Sequence, residues 1–88
     1  MRTVWKFPLD VSDRPTTVKV PHLAKPVHVG LDPATGQPAV WIELYDDQPK
    51  AEREYKVHGT GHPTDDSGTH VGAVIQGIFV WHGYERRL

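Results

Sequence analysis

The 88-residue chain carries 38% hydrophobic and 24% charged residues and a formal charge of −1, the balance of a folded domain and not of a disordered tail. A single domain of this length buries only about 60–65% of its unfolded surface, so its core is modest and self-association is one way to cover what remains apolar. Near-neutral charge argues against general nucleic-acid binding, which needs clustered Lys and Arg. The absence of cysteine excludes disulfides, thiolate ligands and thiol nucleophiles.

The segment Met1–Asp10 has no continuous apolar stretch and meets Pro8 and Asp10 early, which does not read as a secretory signal. No apolar run approaches the roughly 18–20 residues that span a bilayer. A soluble intracellular protein with no membrane contact is expected.

Eight glycines and eight prolines divide the chain into short segments with no sustained 3.6-residue apolar period, which favours antiparallel strands. Thr3 to Leu9 alternates, with Trp5, Phe7 and Leu9 on the expected core face. Arg14 to Val20 forms a second strand, stopped by Pro21. Val27 to Leu31 and Ala39 to Tyr45 flank Asp32-Pro33-Ala34-Thr35-Gly36-Gln37-Pro38, a hairpin loop of turn formers. In the latter strand Val40, Ile42 and Leu44 oppose Trp41, Glu43 and Tyr45.

Asp46 to Glu52 reads as a solvated loop, and Arg53 to Gly59 as a fifth strand. There Lys50, Arg53 and Lys56 alternate with Glu52 and Glu54, the pattern of a solvated face or a guarded edge. His70 to Ile75 and Ile78 to Arg86 complete the set, with Gln76-Gly77 closing a tight hairpin. Both faces of the last strand carry apolar residues, so one side is expected to be covered by a second subunit. The fold expected is all-β, a small antiparallel sandwich or partly open barrel of six to seven short strands, spanning residues 1–88 as one domain.

The segment from His58 to His70 concentrates chemistry: His58, His62 and His70, Asp65 and Asp66, hydroxyls, and Gly59, Gly61 and Gly68. Three readings compete. A metal site would use His58, His62, His70 and Asp65 or Asp66, a donor set suited to zinc, nickel or manganese. Gly59, Gly61 and Pro63 argue against the helix that would put His58 and His62 on one face. An anion site would use backbone N–H groups of the glycine loop, hydroxyls of Thr60, Thr64, Ser67 and Thr69, and the imidazoles. No Walker pattern accompanies it. A hydrolase would need Ser67 activated by His58 or His62 with Asp65 as orienter, yet sequence neighbours seldom build such a triad. The bland alternative is that the glycines simply turn the chain.

Trp5, Trp41 and Trp81 each lie in an expected strand. Core packing is the default for them. Stacking on a base or sugar is the alternative, with Trp81 beside His82 the best candidate.

Arg-Thr-Val-Trp-Lys-Phe-Pro-Leu (2–9), Gly-Gln-Pro-Ala-Val-Trp (36–41), Gly-Thr-Gly-His-Pro (59–63) and Gly-Ile-Phe-Val-Trp-His (77–82) occur in this order. Together they resemble a family of small uncharacterised proteins encoded mainly by tailed bacteriophages and prophages. The resemblance implies a phage origin and a β-rich fold, and it brings no established site residue with it; with no secretory signal read at the start, the host bacterial cytoplasm is the expected location.

The reading that combines these features is a non-enzymatic accessory protein that binds a nucleotide-like host defence signal at a subunit interface. The expected ligand-binding residues are His58, Gly59, Thr60, Gly61, His62, Thr69, His70, Trp81 and His82. No cofactor is expected. The alternatives are a virion or assembly component and a small metal-dependent hydrolase.

Overall fold

The computed structural model describes residues 1–12, 14–64 and 68–87. Asp65, Asp66 and Ser67 of the histidine-rich loop lie outside the described residues. Seven antiparallel strands form two sheets that pack as a small β-sandwich and do not close into a barrel. They are β1 (Arg2–Pro8), β2 (Thr16–Pro21), β3 (Lys25–Leu31), β4 (Pro38–Tyr45), β5 (Lys50–Gly59), β6 (Thr69–Gln76) and β7 (Phe79–Arg87). One sheet has the order β1-β4-β3 and the other β2-β5-β7-β6. Among the described residues no helix is long and apolar enough to cross a membrane.

Alternation fixes which side chains meet between the sheets. Trp5 pairs with Ile42 and Val29 with Val40, while Val18, Val20, Tyr55, Val57 and Val74 enter from the facing sheet. Ile42, Val40 and Val20 are fully buried, each stabilising by about 1.5–3 kcal/mol relative to exposure. Trp5 and Phe7 pack on this core and Leu9 is buried in it. The edge strands β3 and β6 lie against each other, and Gly72 makes room there: a Cβ on it would stand 3.0 Å from Val29 Cβ and Cγ2.

Four expectations are corrected. The β5 strand is not an edge, because it lies between β2 and β7, and while Lys50 and Glu52 are exposed as a solvated face requires, Arg53 is buried. Arg53 Nη1 donates to Glu85 Oε2 (3.2 Å) and to the Ala24 carbonyl, and the Tyr55 hydroxyl donates to the same Glu85 oxygen. Burial, with help from Glu85, pushes the Tyr55 hydroxyl far above its ordinary pKa. Three polar groups thus enter the core as one satisfied network.

The loop expected over 46–52 is shorter, since Lys50, Ala51 and Glu52 pair with Pro21, Val20 and Lys19. The last hairpin turns at Gly77-Ile78, not Gln76-Gly77: Gln76 pairs with Phe79, and Gly77 has φ +60°. Glycine first in a two-residue loop is the type II′ arrangement, which leaves Ile78 at the exposed tip. Trp41 is outside the core. It lies on the outer face of the three-stranded sheet, 5.2 Å between centroids from His28.

Candidate functional site

The site forms where β5 ends. Gly59 O accepts from His62 N at 3.0 Å, and Gly61 has φ +83°, so Gly59-Thr60-Gly61-His62 is a β-turn with the positive φ at its third residue that type II geometry needs. Thr60 N donates to Val80 O (3.2 Å), which pins the turn to β7. The N–H groups of Thr60 and His62 are therefore spent on the turn, and the backbone nest expected of this glycine loop is not built from them.

What the turn presents is side chains. The His62 imidazole folds over Gly59: a Cβ there would stand 3.0 Å from His62 Nδ1 and 3.4 Å from Trp81 Cζ3. His58 pairs with His82, and Tyr84 with His70. All four project from the outer face of the four-stranded sheet, opposite in parity to the buried Val57, Gly83 and Glu85. The Tyr84 ring stands edge-on to both His58 (centroids 5.4 Å) and His70 (5.3 Å). Thr60 Oγ1 lies 2.9 Å from His82 Nε2, and His82 Nδ1 lies 3.3 Å from His70 Nε2.

Three recesses adjoin around Gly59 and His62. One of about 190 Å³ is lined by His58, Gly59, Thr60, Gly61, His62, Thr64, His82 and Tyr84. A cleft of about 370 Å³ shares His58, Gly59 and His62 and adds Val11, Ser12, Lys56, Pro63 and Trp81. A third, about 170 Å³, runs from Thr60 and His62 to Ile78, Phe79 and Val80. No carboxylate lines any of the three among the described residues.

The structure thus gathers His58, Gly59, Thr60, Gly61, His62 and His82, with His70 joined through His82. Trp81 borders two recesses while packing on the core, and one face is taken by Phe79, stacked at 5.4 Å. Its indole N–H donates to Gln76 Oε1 (3.0 Å). Thr69 is not gathered: it pairs with the inward Glu85 and so faces away from His82. The metal set of His58, His62, His70 and Asp65 is not assembled among the described residues, where no group of three or more His, Cys, Asp or Glu could hold an ion. Tyr84 was missed by sequence reasoning, although its position two residues after His82 signals the same strand face.

Over residues 1–88 the chain matches the family model described as "Domain of unknown function (DUF7352)". No curated protein and no solved structure matches it.

Proposed function

Since the chain belongs to the DUF7352 family, which brings no activity with it, we propose from the site itself that it is a non-enzymatic binding protein for a small phosphate-bearing ligand of nucleotide type. The observation that carries this is the recess of imidazoles and hydroxyls, with His58, His62, His82, Thr60, Thr64 and Tyr84 around it and no described carboxylate in its lining. Imidazolium and hydroxyl donors suit a phosphate, and bonds to an ionised group are about twice as strong as neutral ones. The larger cleft beside it has apolar walls from Val11, Val57 and Trp81 and a cation from Lys56, and it suits the base and sugar. Binding is favoured over catalysis because no described carboxylate orients His58, His62 or His82 as a general base.

Resemblance of the motifs to phage-encoded proteins supports a role in the host bacterial cytoplasm, sequestering a nucleotide-like defence signal. Exposed Ile75, Ile78 and Phe79 support a homo-oligomer. Ile78 and Phe79 line the third recess together with Thr60 and His62, so a second copy covering this hairpin would also close the ligand site. The same exposed hairpin favours a second reading, a virion or assembly component.

A thermal-shift panel of nucleotides and inorganic phosphate, with light scattering for oligomer size, tests both. Nucleotide stabilisation lost in His62→Ala supports the binding reading, and no shift with any member of the panel sinks it. Large symmetric assemblies without stabilisation favour the second reading.

A further inference from the structure

The metal set that the sequence suggests contains His70 but not His82, and the structure joins these two instead. We propose that His70 Nε2 and His82 Nδ1 form a two-histidine chelate for a late first-row divalent ion, nickel, copper or zinc. The two nitrogens are 3.3 Å apart. Two imidazoles on a tetrahedral ion at metal–nitrogen distances of about 2.0–2.1 Å have their nitrogens ~3.3 Å apart. Imidazole is the donor these ions select.

The outer shell is already in place. Thr60 Oγ1, 2.9 Å from His82 Nε2, can accept that N–H, which fixes the tautomer whose Nδ1 lone pair is free for the ion. The Tyr84 ring, edge-on to His70 at 5.3 Å, limits the tilt of the second imidazole. Without an ion the two rings share one proton. An ion takes its place once each ring carries its proton on the far nitrogen, Nε2 of His82 and Nδ1 of His70. For two neutral imidazoles, binding is therefore a tautomer change with no net proton release. The pair has solvent access for entry, and the remaining coordination positions are left to water. No third described His, Asp or Glu completes the set, so the chelate is open. This inference shares His82 and Thr60 with the anion reading, and titration with the metal alone, in the absence of any nucleotide, tests it separately.

The test is calorimetric titration of the untagged protein with nickel alone and with zinc alone. One ion per chain is expected. His70→Ala and His82→Gln each weaken binding by more than about tenfold, and Thr60→Val weakens it by about 10-fold through loss of the tautomer lock. His22→Ala, in an exposed turn remote in sequence from both strands, leaves binding unchanged. Affinity falls on acidification, because protons compete for the same lone pairs. Undiminished binding in both His70→Ala and His82→Gln would overturn the proposal, as would the absence of any binding heat in the parent protein. All four side chains are at the surface, so circular dichroism of each variant should match the parent.

Discussion

The imidazole of His62 rests on the bare backbone of Gly59, so close that a single methyl group on Gly59 would lie 3.0 Å from Nδ1 and 3.1 Å from Cε1. The type II turn at Thr60-Gly61 brings the ring back over the strand it has just left. Gly59 then leaves the space that lets it stay there, between the smaller recess and the larger cleft. Chain reversal and the placing of the His62 ring are two results of the same four residues.

Gly59→Ala accordingly separates folding from binding. The clash falls on the end of a side chain that can rotate, so stability should drop by less than about 1 kcal/mol. The displaced imidazole should cost up to about tenfold in nucleotide affinity, equivalent to roughly 1.4 kcal/mol. Urea denaturation and a binding titration on the same variant measure the two effects.

Arg53→Met tests the buried network. The substitution keeps the volume of the side chain but leaves the Glu85 carboxylate without its buried cation, with the exposed Arg87 Nε still 3.7 Å from its other oxygen, and the Ala24 carbonyl without that donor. Breaking a buried pair from one side costs about 3–5 kcal/mol. Glu85→Gln retains an oxygen acceptor for Tyr55 and should cost less. Chemical denaturation midpoints for both variants check the order.

These two predictions also mark what could be read from the residues. The strand pattern was legible wherever one face is apolar: Val40, Ile42 and Leu44 in β4, or Trp5, Phe7 and Leu9 at the start. Arg53 was not, because a charge in an inward position is permitted by Glu85 and the Ala24 carbonyl, 32 and 29 residues away, and no local pattern carries that partnership. Trp41 misled for the opposite reason. A large aromatic suggests burial, whereas its parity with Glu43 places it outside, against His28. For the site, the glycine-histidine turn was visible as composition. His82 and Tyr84 join it only through the pairing of β7 with β5 and β6. Of the backbone N–H groups in that loop, those of Thr60 and His62 are taken by Val80 O and Gly59 O.

Close approach of the two sheets at their edge gives a paired prediction. Gly72→Ala would push Cβ to 3.0 Å from Val29 Cβ and Cγ2, whereas at Gly83 the nearest atoms are Val29 Cγ2 and Val71 Cγ2, both at an ordinary 3.7 Å. Overpacking of a fitted core costs about 1–3 kcal/mol, so Gly72→Ala should destabilise by that amount and Gly83→Ala by less than about 1 kcal/mol. Thermal melts of the two variants decide it.

Acid should weaken the tie between β1 and the central hairpin. Lys6 Nζ lies 2.8 Å from Asp32 Oδ2. This hydrogen bond, with the Ala34 N–H as second cause, holds the Asp32 carboxyl below its ordinary range. A carboxyl depressed in the folded state stabilises above its unfolded pKa of about 3.9, and the gain is lost as pH falls through the folded value. Asn at position 32 keeps the side-chain oxygen that accepts from Ala34 but not the charge. The parent should therefore exceed Asp32→Asn in stability at neutral pH, with the difference shrinking below about pH 4. Denaturation midpoints across that range measure it.

The central claim is that His58, His62 and His82 form one face of a phosphate-binding recess. Long-range ¹H–¹⁵N spectra of the six histidines, recorded while a nucleoside monophosphate is added, test it most directly. Saturable shifts at His58, His62 and His82, with His22 and His28 unmoved, are the predicted result. Spectra unchanged at saturating nucleotide, or an equal drift of all the imidazoles, would contradict it.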